Sequence, residues 1–253
     1  MTTAETDLEK PFLPALIDVF RARDIDIWKA LQYSFSMIMM FAIVISLTST
    51  SWFVINNHQD GDWLLGSSNT GFKYGITGFE QYIESNEEIS VEVKYAIPFS
   101  ECDGWGSNDF IDGTSDVEDL QCDTMSIGGK IIIFSFLISL VSILGLLFAS
   151  SYLGLKSPKE DFWTEKYPKY SDIATKVSAL LPLIAVLIYA LFAFGFDEEL
   201  VLSPTALDDS SVGLGMAWWM MFLLSSTYAG LVFRDKIKLL FAKLSAKRSN
   251  DNS

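Results

Sequence analysis

Four long stretches of the sequence contain no charged residue and no histidine. Each holds about 20 residues or more, the length that a helix needs to cross roughly 30 Å of hydrocarbon at about 1.5 Å per residue. One such stretch could be a buried core helix, but four in a chain of 253 residues predict four membrane spans. The predicted spans are Leu31–Ile55, Ile131–Leu155, Val177–Phe196 and Ser210–Phe233.

The segments between the spans differ in pattern. The loop 56–130 contains Ile89–Ile97, where apolar and polar residues alternate strictly, and Phe72, Tyr74 and Ile76 alternate in the same way. Period-two alternation is typical of half-buried strands. Trp52–Ile55 either continues the first helix or starts a strand, and Leu200–Leu202 of the loop 197–209 offers an edge strand. We therefore predict an all-α bundle of four transmembrane helices carrying a small extracellular antiparallel β-sheet.

Charge gives the orientation. The segments 1–30, 156–176 and 234–253 hold fifteen of the eighteen Lys and Arg residues, and the positive-inside rule then makes both termini cytoplasmic. The two outer loops hold twenty of the thirty-two acidic residues and three basic residues, so their net charge is about −17. The rest of the chain is slightly positive, which gives the total of −14. We expect a multi-pass protein of the plasma membrane with an acidic outer surface.

The first 30 residues do not read as a cleaved leader. Met1–Lys10 is polar, and the first apolar run is too long for a signal peptide, so we expect a retained span. Pro11–Trp28 is predicted to form a short amphipathic helix, either on the cytoplasmic membrane surface or on the protein's own inner loop.

The only two cysteines, Cys102 and Cys122, lie in the long outer loop. Because the outside of a cell is oxidising, a disulfide between them is expected. The segment Asp103–Asp123 is rich in acids and lacks a complete calcium-loop pattern. Its two interpretations are a weak, irregular calcium site and a solvated acidic surface.

The sequence contains few of the residues that catalysis needs. The spans have no ionisable residue apart from tyrosines, the chain has one histidine, and it has neither a C-x-x-C pair nor a phosphate-binding glycine loop. We expect no enzyme, no cofactor, no resident metal and no nucleic-acid partner.

Small residues recur at four-residue spacing in the predicted spans. Such spacing lets helices approach closely, either within the bundle or against another membrane protein. Trp218 and Trp219 are expected to anchor the outer interface rather than to hold a partner or pigment. The predicted packing residues are Gly145, Ala149, Gly154, Gly213, Ala217, Ser226 and Gly230.

The layout resembles the claudin-like tetraspan superfamily. Trp52 soon after the first span, the Gly75–Ile76 pair and the two outer-loop cysteines correspond to the loop residues of that family, although Thr77 stands where the family has a second Trp. The resemblance implies four spans with both ends inside and a long first outer loop built as a sheet. Trp52 and Gly75 are expected to pack or turn where the sheet meets the helices.

Two functions fit these features. The first is a non-enzymatic structural, adhesion or accessory subunit that binds another membrane protein, or a second copy of itself, through its outer sheet and helices. The second is a channel or transporter component whose acidic outer face concentrates cations. Its only obvious lining candidates are eight serines within the spans, which are Ser34, Ser36, Ser46, Ser135, Ser139, Ser142, Ser225 and Ser226.

Overall fold

A computed structural model describes residues 27–59, 68–85, 90–104, 121–155, 167–195 and 210–250 of the chain. Five α-helices, five strands and one 3₁₀ helix make up these ranges. The helices are α1 (Ile27–Leu47), α2 (Cys122–Leu155), α3 (Tyr167–Phe194), α4 (Met216–Val232) and α5 (Arg234–Asn250). The strands are β1 (Phe53–Gln59), β2 (Ser68–Tyr74), β3 (Gly78–Ser85), β4 (Ser90–Pro98) and β5 (Ser210–Leu214), with the 3₁₀ helix at Phe99–Gly104.

Three helices, α1, α2 and α3, are long and apolar enough to cross a membrane. The number rises to four if α4 and α5, which meet at a bend of 76°, count as one broken span. A mostly helical protein with several helices long and apolar enough to span a membrane is therefore confirmed. The amphipathic segment predicted over Pro11–Trp28 lies outside the described residues except for its last two positions.

The helix ends differ from the predicted spans because an uncharged run is not the same thing as a helix. In the first run, α1 ends at Leu47, where Thr48–Ser51 brings four hydroxyl residues that compete for backbone hydrogen bonds. In the fourth run, the first five residues form β5 instead of helix, so the prediction of one span over Ser210–Phe233 is wrong there. Helices α2 and α3 begin nine and ten residues earlier than predicted, since helical backbone bonding continues past the apolar part.

The five strands form one antiparallel sheet in the order β4-β3-β2-β1-β5. This confirms the small antiparallel sheet, and β4 coincides with the alternating segment Ile89–Ile97 apart from one residue at each end. A register shift between Gln81 and Tyr82 interrupts the β3–β4 pairing. The predicted edge at Leu200–Leu202 lies outside the described residues, and the edge strand beside β1 is β5.

One face of the sheet is apolar and buried. Its aromatic side chains contact one another, with Tyr74 stacked on Phe79 at a centroid distance of 5.6 Å and Phe72 edge-on to Phe79 at 6.1 Å. The opposite face carries polar groups, including Asn56, whose side chain is hydrogen-bonded by the hydroxyl of Tyr82. The sheet thus has one face for a core and one face for water.

The helices α1 to α4 form a closed ring. Contacts join α1 to α2, α2 to α3, α3 to α4, and α4 back to α1. Trp218 is buried in this bundle, donates from Nε1 to the carbonyl oxygen of Val186 on α3 at 2.8 Å, and stacks on Phe222. The expectation that Trp218 is an interfacial anchor is therefore wrong, since its ring packs between helices. Trp219 is about half exposed.

A buried hydroxyl cluster joins three helices at the end of the bundle away from the sheet. The hydroxyl of Tyr228 on α4 lies 2.8 Å from Ser36 Oγ on α1 and 3.2 Å from Ser178 Oγ on α3. Close by, Gln32 Nε2 donates to the carbonyl oxygen of Leu231. Hydrogen bonds of this kind hold helices together where lipid supplies no hydrophobic drive for association.

Candidate functional site

The segment between α1 and β1 connects the helices to the sheet. Thr48 Oγ1 donates to the carbonyl oxygen of Ile45 at 2.9 Å, and the Ser51 N–H donates to Ser49 Oγ at 3.2 Å. Side-chain oxygens thus hold the chain as it leaves α1, as short hydroxyl residues commonly do at helix ends. These hydrogen bonds form a compact turn, and Trp52 follows it at the end of the helix bundle.

Trp52 lies at the point where sheet and helices meet. Its fully buried indole packs against Tyr189 of α3 and Phe136 of α2, with ring centroids 5.4 and 5.9 Å away. Its Nε1 donates to the carbonyl oxygen of Ser46 at 2.9 Å. One side chain therefore contacts three helices, with a large apolar ring and a satisfied polar edge.

The backbone of Trp52 makes two further connections. Its N–H donates to the carbonyl oxygen of Tyr74 at the end of β2, at 3.0 Å, and its carbonyl oxygen accepts from the N–H of Gly215 at 2.8 Å. Ala217 donates its N–H to the neighbouring carbonyl of Ser51 at 3.0 Å. The start of α4 is thereby held against the end of α1 by backbone hydrogen bonds.

The β2–β3 turn lies directly on the helices. Gly75 donates its N–H to the carbonyl oxygen of Gly78 at 2.8 Å, and its own carbonyl oxygen lies 3.4 Å from the Tyr189 hydroxyl. A Cβ atom at Gly75 would lie 3.1 Å from the carbonyl oxygen of Ser49, closer than most side chains tolerate. On α2, a Cβ at Gly129 would overlap the carbonyl oxygen of Ile76. Glycine at 129 therefore allows the turn to touch the helix backbone.

Cys102 and Cys122 are at disulfide distance, as the sequence predicts. Their Cα atoms are 6.3 Å apart, both side chains are buried, and neither cysteine is free. Cys102 lies in the 3₁₀ helix that follows β4, and Cys122 is the first residue of α2. The bond therefore attaches the end of β4 to the start of a spanning-length helix.

An open cleft of about 260 Å³ lies beside this junction. It is bounded by the turn after α1, the β2–β3 turn and the ends of β3 and β4. Glu80 is the only carboxylate among its lining residues, and Thr50 Oγ1 donates to Glu80 Oε2 at 2.8 Å. Thr48 and Thr77 add two further hydroxyl residues to the lining.

Three of the predicted packing glycines have open surroundings in the described part of the chain. A Cβ atom at Gly145, Gly213 or Gly230 would meet no described atom within 4 Å, and Gly213 lies in β5 rather than in a helix. No described contact supports packing within the chain at these three positions, because the spacing pattern does not say which way a residue faces. Ala217 is buried and Ser226 is half-buried in α4, whereas the surroundings of Ala149 and Gly154 in α2 lie outside the description.

The serines of the spans bond mainly to their own helices. The hydroxyls of five of them donate to a carbonyl oxygen one turn earlier, at 2.6 to 3.0 Å, and these are Ser34, Ser36, Ser139, Ser142 and Ser225. A hydroxyl that is bonded in this way is less available to a passing ion.

Several residues of the junction were not predicted from the sequence. Gly129, Tyr189 and the strand β5 were not identified, although Val212 and Leu214 alternate with Ser211 and Gly213 just before Gly215. That short period-two pattern could have revealed a strand inside the uncharged run.

The acidic segment Asp103–Asp123 lies mostly outside the described residues. Within the ranges that are described, no three side chains of His, Cys, Asp or Glu come together as a potential metal site.

Comparison with known proteins gives no relative. No family model matches the chain, and no curated protein matches it.

Proposed function

We propose that the chain is a four-span protein of the plasma membrane, with both termini in the cytoplasm, that serves as a non-enzymatic structural, adhesion or accessory subunit. The claudin-like resemblance is part of this proposal. Its supports are the topology of the sheet, the fixed seat of the sheet on the helices, and two kinds of surface that remain open to a partner.

The sheet supports four crossings. Because all five strands hydrogen-bond in one sheet, β1 to β4 and β5 share one side of any membrane. Two apolar spanning-length helices, α2 and α3, lie between β4 and β5, and an even number of crossings returns the chain to the same side. Helix α1 leads into the sheet and α4 leaves it, and we propose that each crosses to the opposite side. The 17 residues of α4 reach about 26 Å, which is at the short end of the spanning range.

The observation that carries the accessory role is the junction around Trp52. A sheet that hung on flexible linkers would present a variable surface, whereas this one is fixed by buried rings, backbone hydrogen bonds and a disulfide. A fixed surface lowers the entropy cost of binding a partner. The outer sheet is therefore suited to recognition.

The sheet also has an open edge at β5. Ser211, Val212 and Gly213 are exposed, and β1 is the only described strand that pairs with β5. An exposed edge strand presents backbone donors and acceptors to which a strand of another chain can add. Strand addition at β5 is the form of binding that we propose for the outer surface.

Gly145 on α2 and Gly230 on α4 supply two further open positions, on helices that are not neighbours in the ring. A Cβ at either position would meet no described atom within 4 Å, so a neighbouring helix could approach the backbone there. Close approach at small residues is a common mode of helix association in lipid. The channel alternative has weaker support, since five of its eight candidate serines bond to their own helices.

The test is purification of the full chain in a mild detergent, with measurement of particle mass and identification of every co-purifying protein. A bound partner or a second copy is expected. Gly145→Leu should release it without lowering the thermal midpoint, because a Cβ atom at this position would meet no atom of the described residues within 4 Å. The matched control, Val44→Leu on the exposed side of α1, should retain it. A monomeric particle with no partner, or equal retention in both variants, would contradict the proposal.

A further inference from the structure

Helix α5 leaves the bundle at a fixed angle. A single residue, Phe233, separates it from α4, and the axes of the two helices meet at a bend of 76°. Hydrogen bonds continue through the bend, from Phe233 N–H to the carbonyl oxygen of Ala229 and from Ile237 N–H to that of Phe233, both at 2.9 Å. If α4 crosses a membrane, α5 then runs close to the plane of its surface.

One side of α5 is apolar and exposed. Ile237, Leu240, Phe241 and Leu244 follow the spacing i, i+3, i+4, i+7 that places residues on one helix face. Each of them is at least 40% exposed, so no described part of the protein covers this face. Four large apolar side chains facing water would be unfavourable, at about 1.5–3 kcal/mol for each one fully transferred.

Basic residues flank that face. Helix α5 contains six Lys and Arg residues and one acid, Asp235. At 100° per residue, Lys236 and Lys243 lie on one flank and Lys238 on the other. Long basic side chains beside an apolar face can bury their stems and extend their charges to phosphate groups.

The start of α5 is held against the start of α1. The guanidinium of Arg234 lies over the Trp28 ring, 3.6 Å from its centroid. This contact is at the end of the bundle opposite the sheet, where the hydroxyl cluster of Ser36, Ser178 and Tyr228 also lies. The apolar face of α5 therefore lies beside the ends of α1 and α4 that are farthest from the sheet, where these helices would leave the membrane.

We propose that α5 lies in the membrane surface at this end and binds anionic phospholipid headgroups, with Ile237, Leu240, Phe241 and Leu244 inserted among the acyl chains. The charge of the helix, about +5 over seventeen residues, favours an anionic lipid surface as the occupant over an apolar protein groove. This inference goes beyond the accessory role and depends only on α4 lying in the membrane.

The experiment uses the full chain in lipid nanodiscs with one added cysteine carrying an environment-sensitive fluorophore. Leu240→Cys places the label on the apolar face, and the matched control Leu239→Cys places it on the opposite face one residue away. Both native cysteines are paired, so only the added one reacts. Brominated acyl chains should quench the label at 240 at least three-fold more strongly than the label at 239.

Lipid charge gives the second readout. Fluorescence lifetimes of the label at 240 report the ratio of inserted to free α5 in phosphatidylcholine discs with and without phosphatidylserine. Each basic residue near an anionic surface contributes about 1 kcal/mol, or roughly five-fold. The double variant Lys236→Gln, Lys243→Gln should lower that ratio about 30-fold in anionic discs, whereas Lys130→Gln on α2 should leave it unchanged.

Three results would overturn the proposal. The first is equal quenching of the labels at 239 and 240. The second is an inserted fraction that does not change when phosphatidylserine is added. The third is shielding of the label from water only in discs that hold two copies of the chain. The last result would assign the face to a second copy. All variants change exposed side chains, and an unchanged thermal midpoint would show that each is folded.

Discussion

Replacing Trp52 tests how much of the sheet's attachment depends on one side chain. Trp52→Phe keeps an aromatic ring between Tyr189 and Phe136 and removes the N–H that donates to Ser46. The lost hydrogen bond costs about 1 kcal/mol, and the space left by the smaller ring adds roughly another 1 kcal/mol. Trp52→Ala removes both ring contacts as well and should cost about 3–5 kcal/mol.

The assay is equilibrium unfolding of the purified chain in mixed micelles, followed by near-ultraviolet circular dichroism. Hydrogen exchange of β1 amides gives a local readout, because a loosened junction should expose β1 before the helices open. The matched control is Trp219→Ala, since Trp219 is 48% exposed and makes no ring contact with α2 or α3 among the contacts described. It should cost less than about 1 kcal/mol.

The reasoning would be refuted if Trp52→Ala and Trp219→Ala destabilised the chain equally. It would also be refuted if Trp52→Ala lowered stability while β1 exchange stayed as slow as in the parent chain. In that case the sheet would be held without Trp52, and the rings of Phe136 and Tyr189 would be packing residues of the bundle alone.

Three further outcomes are expected from the same unfolding measurement. Gly129→Ala should destabilise the chain by more than about 2 kcal/mol, because the added Cβ would overlap the β2–β3 turn. The control Gly145→Ala on the same helix should stabilise the chain by about 0.5–1 kcal/mol. Similar effects of the two substitutions would contradict the close contact at Gly129. Tyr228→Phe should lower the free energy of unfolding by about 0.6 kcal/mol, and by about 1.7 kcal/mol at most. The exposed control Tyr33→Phe should change it very little. If Tyr228→Phe had no effect, the hydroxyl cluster would not stabilise the bundle. Reduction of the disulfide, which closes a loop of about 20 residues, should cost roughly 3 kcal/mol and slow migration on a non-reducing gel; an unchanged midpoint would argue against it.

The sequence is most informative where a physical requirement acts on many residues at once. Crossing a bilayer needs a long uncharged helix, and a half-buried strand needs alternation, so the spanning-length helices and β4 were predictable. The cysteine pair was predictable because the chain has only two. The four-span count itself stays part of the proposal.

Prediction was poorer wherever the outcome depends on contacts between distant segments. Strand β5 is uncharged like a span, but it forms a strand because its backbone pairs with β1, about 150 residues earlier. Gly129 and Gly145 look alike in the sequence, yet one lies under the β2–β3 turn and the other faces open space. Small-residue spacing gives the period of a helix without its rotation, so it could not distinguish them.

The pairing of β5 with β1 has a consequence for how the protein is made. Ribosomes release the chain from its N-terminus, so β1 to β4 emerge together, and β5 follows only after both α2 and α3 have been synthesised. The first four strands can pair at once, but the edge of β1 stays vacant until β5 arrives beside it. Closure of that edge therefore requires that α2 and α3 are already made, and a chain that stalls before β5 would display an unpaired strand to quality-control machinery.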